Sequence, residues 1–208
     1  VLLAAATAVW SSAYGQGAAS VERGLLFKSY EVVPAERTSM AIPSSEGRSL
    51  VFSDSLRVSF SIRTNLSLGR FGYICRVLLS NRESVDMLLY TPSGKPTALC
   101  ATGDHENLLQ LPLDPSDWQD VELLLTLEDG VVSASMNGQN FASVRTGAKK
   151  ESVTLCFGKN AEREITTSDV APMIVRDLSI RADRHKADFR SLEGEDGSDG
   201  RRHRYSMS

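Results

Sequence analysis

Arg76, Asp86 and Tyr90 are the residues whose types and spacing best suit a binding role. Phe71 to Leu78 and Val85 to Tyr90 read as two strands joined across the polar run Ser80-Asn81-Arg82-Glu83. A register with Leu78 opposite Ser84 sets Arg76 against Asp86, Ile74 against Leu88 and Tyr90 over Gly72, the aromatic covering the gap a glycine leaves. The other face then reads Tyr73–Leu89, Cys75–Met87 and Val77–Val85, apolar or thiol throughout, and a slip of one residue would mix the two faces. An aromatic beside a charged pair can grip sugar, because ring faces stack while polar groups hydrogen-bond the hydroxyls. The plainer reading is a cross-strand ion pair with Tyr90 as filler.

Asp104-His105-Glu106-Asn107 is the local cluster of metal-capable side chains. Asp104 and His105 are its candidate ligands, and calcium is the cation that oxygen donors would suit. A solvated turn after Gly103 is the alternative. Nucleophilic chemistry finds less. The histidines are His105, His185 and His203, the last two in a charged tail, and no G-x-S-x-G elbow occurs. No C-x-x-C spacing exists for structural zinc. Cys75 and Cys156 fall inside strand patterns and read as small buried hydrophobes. With Cys100 they form an odd set, so at least one thiol is unpaired, and a Cys75–Cys100 disulfide is left open.

The elements that must position these residues are strands. Leu56, Val58, Phe60 and Ile62 alternate with Arg57, Ser59, Ser61 and Arg63, the period-two sign of a half-buried strand. Val121 to Glu128, Val131 to Met136 and Gln139 to Val144 are separated by Asp129-Gly130 and Asn137-Gly138, the preferred pairs for two-residue type I′ hairpins. The first turn predicts Leu127–Val132, Leu125–Ala134 and Leu123–Met136. The second predicts Ala134 opposite Phe141, small against large. Ser152 to Phe157 and Met173 to Ile180 complete the strands, and no amphipathic helix of ten or more residues is expected. The class is all-β, an antiparallel two-sheet sandwich around one core.

The runs FSDSLRVSFSIR, FGYICRV with VDMLLY, DWQDVELLLTLEDGVVSASMNG, LCFG and DVAPMIVRDLSI together resemble laminin-G-like domains of the concanavalin A-like lectin/glucanase superfamily. They look in particular like the N-terminal sandwich of exported bacterial proteins that continue into Kelch-type propeller repeats. The likeness covers roughly Leu25 to Ile180 and implies a jelly roll. Trp118 resembles the packing tryptophan that begins a W-x-x-V strand there. The tail Asp188-Phe189-Arg190-Ser191-Leu192-Glu193-Gly194 resembles the segment leading to a following module. Glucanases of the superfamily carry E-x-D-x-x-E, whose paired carboxylates protonate the leaving oxygen and attack the anomeric carbon. This chain has no such motif. Glu162-Arg163-Glu164 has the wrong spacing, so the expectation is that the domain is not an enzyme.

Composition bounds the rest. The 208 residues carry a net charge of −3 and are 41% hydrophobic and 24% charged, which excludes collagen-like, coiled-coil and fully disordered chains. That balance gives no global field for nucleic acid, and Arg201-Arg202-His203-Arg204 lacks a folded platform. The apolar run Val1 to Trp10, followed by Ala13 and Gly15, suits a signal segment cut before Gln16, and it is too short to span a bilayer. The expected organisation is a signal segment over 1–15, a sandwich over 16–181 and a charged linker or flexible tail over 182–208. The expectation is an exported binding module for a glycan or protein. Packing on a following propeller of the same polypeptide is the structural alternative, and glucanase-type hydrolysis the enzymatic one.

Overall fold

In the computed structural model, residues 24–29, 31–33, 36–42, 50–104, 106–158 and 170–183 are described. The signal expectation for 1–15, most of the tail, His105, His185, His203 and Glu162-Arg163-Glu164 lie outside them. The described residues form thirteen strands: β1 (Leu25–Phe27), β2 (Ser39–Ile42), β3 (Leu50–Phe52), β4 (Ser55–Thr64), β5 (Gly72–Leu78), β6 (Ser84–Tyr90), β7 (Ala98–Thr102), β8 (Leu109–Leu111), β9 (Gln119–Glu128), β10 (Val131–Met136), β11 (Gln139–Arg145), β12 (Glu151–Gly158) and β13 (Met173–Ala182). No helix long and apolar enough to cross a membrane occurs among them.

Alternation decides the long strands. In β4, Leu56, Val58, Phe60 and Ile62 are buried while Arg57 is exposed. Burial of each such side chain stabilises by about 1.5–3 kcal/mol. The two hairpin turns take the form their residues dictate, since Asp129, Gly130, Asn137 and Gly138 all have positive φ, at 48°, 72°, 49° and 78°. The first hairpin pairs Leu127–Val132, Leu125–Ala134 and Leu123–Met136, as the turn predicts. The second departs from expectation. Ala134 faces Ala142, and the register shifts next to it, so that Phe141 is the extra residue of a bulge. A large ring at the edge is accommodated by bending the strand.

Two antiparallel sheets result. One has the order β1-β13-β4-β9-β10-β11; the other runs β2-β12-β5-β6-β7-β8, with β3 also pairing to β12. Their inner faces enclose the main core, which includes Phe52, Phe60, Ile62, Ile74, Met87, Leu123, Leu155 and Phe157. Phe60 packs edge-on to Phe157 at 5.1 Å between ring centroids, one contact across the two sheets. The sandwich extends beyond residue 181: β13 runs to Ala182, and Asp183 accepts hydrogen bonds from the N–H groups of Ser53, Asp54 and Ser55.

The β5–β6 hairpin is the element that carries the candidate site. From Cys75 onward its register is the expected one, with Cys75–Met87, Arg76–Asp86, Val77–Val85 and Leu78–Ser84 paired. Before Cys75 the register shifts, so Tyr73 faces Leu88 and Gly72 faces Leu89. Tyr90 therefore does not cover Gly72, and Ile74 does not oppose Leu88. The extra residue lets Ile74 and Cys75 both join the core, which an unbroken alternation would forbid.

Gly72 is instead covered by the chain entering β13. A Cβ at Gly72 would collide with the backbone of Val170 and Ala171, and its φ is 153°. Tyr73 and Val170 form a bridge, and the Ala171 N–H donates to the Tyr73 carbonyl at 3.1 Å.

Candidate functional site

The two sheets present different outer faces. The six-stranded sheet carries cross-strand polar pairs: Arg57 meets Glu122 at 2.7 Å, and the buried Ser61 donates to Asp120 at 2.6 Å. Trp118 lies at that sheet's margin with the Arg176 guanidinium 3.9 Å from its ring centroid. On the seven-stranded sheet the outward residues make a second apolar cluster of Leu88, Ala98 and Cys100, with Phe71, Tyr90 and Leu108 packed against it. Strand β6 is thus apolar on both faces, with Ser84 and Asp86 as the exceptions.

Arg76 and Asp86 sit within this face and are both buried, at 5% and 0% exposure. Their pairing is bidentate. Arg76 donates from Nε to Asp86 Oδ1 at 2.7 Å and from Nη2 to Oδ2 at 2.9 Å. Ser84 braces the pair, its hydroxyl accepting from Arg76 Nη2 at 3.2 Å and donating to Asp86 Oδ2 at 3.1 Å. The guanidinium carbon lies 4.3 Å from the Tyr73 ring centroid, so the cation is held by a carboxylate and an aromatic ring together. Arg76 Nη1 is buried without a hydrogen-bond acceptor.

Tyr90 is not joined to this pair directly. It belongs to a short ladder of rings: Tyr73 lies edge-on to Phe71 with centroids 6.3 Å apart, and Phe71 edge-on to Tyr90 at 6.1 Å. Where the ladder reaches the rim of the sheet, Gly69, Arg70, Phe71, Tyr90 and Thr91 line a shallow, open cleft of about 530 Å³. The Thr91 hydroxyl donates to the Arg70 carbonyl at 3.5 Å and shares a hydrogen bond with Thr97 at 2.7 Å, tying the cleft's two walls together. Phe71, Tyr73 and Arg70 were not singled out from the sequence. The alternation of Phe71 and Tyr73 around Gly72 was the available signal, and the bulge at Ile74 hid which way it pointed.

The three cysteines are buried and form no disulfide among the described residues. Cys75 lies in the main core and Cys100 in the outer cluster, on opposite faces of one sheet, so no disulfide joins them. Burial pushes the Cys75 thiol well above its ordinary range and the Cys100 thiol to about 11, so neither is a nucleophile at neutral pH.

Asp104 caps its own loop. It accepts from the N–H groups of Glu106 at 3.0 Å and Asn107 at 2.9 Å, and from Asn107 Nδ2 at 2.8 Å. Those bonds, the backbone one from Asn107 foremost, hold its carboxyl down at about 2. The other candidate ligand, His105, lies outside the described residues. Among the described residues no group of three or more His, Cys, Asp and Glu is gathered as a metal site.

Face-to-face antiparallel sheets make the described residues an all-β two-sheet sandwich. No protein-family model and no curated protein matches the sequence. Among solved structures the chain is similar to a native heptameric SAP-like pentraxin from Limulus polyphemus, at 15% identity over 68% of this chain and 74% of that one, with a TM-score of 0.40. It is also similar to domains LG4-5 of the mouse laminin alpha1 chain, at 18% identity over 70% of this chain and 39% of that one, TM-score 0.41. An alginate lyase from Corynebacterium sp. is similar at 11% identity over 70% of this chain and 68% of that one, TM-score 0.46.

These likenesses are of fold alone. They still correct the expectation that the domain is not an enzyme, because several solved alginate lyases share the sandwich, at 10–14% identity. The missing E-x-D-x-x-E speaks only to the displacement those carboxylates perform, and one fold hosts many chemistries.

Proposed function

We propose that this domain binds carbohydrate, with the Phe71–Tyr90 cleft as its contact surface. The observation that carries the reading is an edge-to-face aromatic pair lining an open cleft of about 530 Å³ at the rim of an apolar sheet face. That volume falls within the usual range of small-ligand sites. A sugar ring has apolar C–H faces that pack on aromatic rings, and the lining of the cleft is almost wholly apolar.

A glycan array followed by titration calorimetry on the hits tests this. Phe71→Ala and Tyr90→Ala should each weaken binding about tenfold, the equivalent of ~1.4 kcal/mol of lost ring contact, while circular dichroism stays that of the parent. Chromatography of the bound glycan after incubation reads in the same samples whether its chain is cut. Retention of no glycan, or binding that ignores both substitutions, would sink the reading and leave a protein ligand as the next to examine.

A further inference from the structure

We propose that Asn137 is a site of spontaneous covalent modification held in check by strand β9, and that its conversion unfastens the β10–β11 turn from that strand. Asn137-Gly138 is the only asparagine–glycine pair in the 208 residues. Both residues are exposed at the tip of the hairpin. Glycine has no side chain to crowd its own backbone nitrogen, and a Cβ at Gly138 would meet nothing within 4 Å, so that side of the turn is open.

The chemistry needs these two residues and water. The Gly138 backbone nitrogen gives up its proton and attacks Asn137 Cγ. The new N–C bond forms as the Cγ–Nδ2 bond breaks, and Nδ2 takes up a proton and leaves as ammonia. Water then opens the cyclic imide. Opening at the side-chain carbonyl gives aspartate in an ordinary chain. Opening at the main-chain carbonyl gives isoaspartate, whose backbone passes through the side chain and is longer by a methylene.

In the folded domain the amide is tied to β9. Asn137 Oδ1 accepts from the Glu122 N–H at 2.7 Å, and Nδ2 donates to the Asp120 carbonyl at 3.3 Å. The Asn137 N–H donates to the Glu122 carbonyl at 2.8 Å. The residue thus adds a rung between β10 and β9 beyond the Met136–Leu123 pair. Cγ reaches the Gly138 nitrogen only when both side-chain bonds break, which at ordinary net strengths makes the reactive conformer about tenfold rarer. Asp129-Gly130 has the same signs of φ, at 48° and 72°, but among the described residues its carboxylate holds no hydrogen bond. It forms the same imide with loss of water and serves as the internal comparison.

Conversion cannot be undone by the fold. The new acid has no N–H for the Asp120 carbonyl, and it brings a negative charge onto the backbone of two acidic residues, Asp120 and Glu122. In the isoaspartate form the added methylene also breaks the two-residue turn that closes the Met136–Gln139 pair.

The test incubates the full chain in neutral buffer and in unfolding urea. Mass-spectrometric peptide mapping follows the loss of the Asn137 amide, and enzymatic methylation scores isoaspartate at both turns. Asn137 should convert at least about tenfold faster in urea than in buffer. That ratio should exceed the one for isoaspartate formation at Asp129. The modified folded protein, separated by anion exchange, should melt below the unmodified one, with the isoaspartate form lowest and Asn137→Asp between. No conversion of Asn137 in urea overturns the site. A slowing on folding no greater at Asn137 than at Asp129 assigns it to the shape of the turn and overturns the hold by β9. Modified protein that melts with the unmodified overturns the unfastening.

Discussion

Arg76 and Asp86 show how much chemistry a single register fixes. Each charge would be costly to bury alone, and the bidentate geometry with Ser84 and the Tyr73 ring is what makes the pair tolerable inside an apolar cluster. Removing one partner is therefore worse than removing both. Arg76→Met should lower unfolding stability by about 3–5 kcal/mol, because it leaves an uncompensated carboxylate at a site with 0% exposure. Arg76→Met with Asp86→Leu should recover most of that loss in urea titration. A double variant as unstable as the single one would mean that the pair itself, and not the stranded charge, supports the sheet. This pairing was legible from sequence because it lies close to the polar turn that sets the register. The cleft residues Arg70 and Phe71, and Tyr73 beside the pair, were not, since they lie beyond the bulge.

At the scale of elements, period and turn chemistry carried the reading where they were strong. The type I′ pairs fixed the β9–β10–β11 meander, alternation fixed β4, and Pro172 marked the start of β13, whose register shifts between Arg176 and Ser179. The short strands β1, β2, β3, β7 and β8, of three to five residues, were missed. A strand of that length shows at most two turns of alternation, and β7 is buried on both faces, so it has no polar face to display. Both register errors have one cause. An inserted residue at Ile74 or Phe141 reverses the faces of everything beyond it, yet leaves no compositional mark where both neighbours are apolar or small. Gly72 is the exception that could be read in hindsight. It admits the backbone of Val170 and Ala171 so closely that any Cβ would strike main chain, which cannot rotate away. Gly72→Ala should cost more than about 2 kcal/mol and, by displacing Phe71, weaken binding at the cleft as well. A variant with wild-type stability and affinity would show that the crossing at residues 170–172 is free to shift.

For the molecule as a whole, the corner between the sheets is the point that local patterns could not reveal, because it joins residues about 130 positions apart. Ser53 and Asp54 connect β3, which pairs into the seven-stranded sheet, to β4 in the six-stranded one. Asp183, just past β13, closes this corner. Its carboxylate accepts from three consecutive backbone N–H groups and the Ser53 hydroxyl, while its own N–H donates to the Ser55 carbonyl at 2.6 Å. Partial burial works against the charge, but the bonds from Asp54, Ser53 and Ser55 outweigh it and hold the carboxyl below its ordinary range. Asp104 does the same for the β7–β8 loop from a fully exposed position. A group whose pKa is lower folded than unfolded stabilises above its unfolded value and loses that contribution as pH falls through the folded one. Both carboxylates should therefore support the sandwich fully above about pH 4 and release it as pH falls through their lowered folded values, about 2 for Asp104. Asp183→Asn removes the titrating group and turns an amide towards donors. It should be less stable than wild type at neutral pH and show a flatter acid limb, so that the two curves of melting temperature against pH converge at the acid end. Asp104→Asn should flatten the limb independently, since the two sites share no partner. Parallel curves for wild type and Asp183→Asn down to pH 2 would mean that the corner is held by packing alone, with the carboxylate a passenger on it.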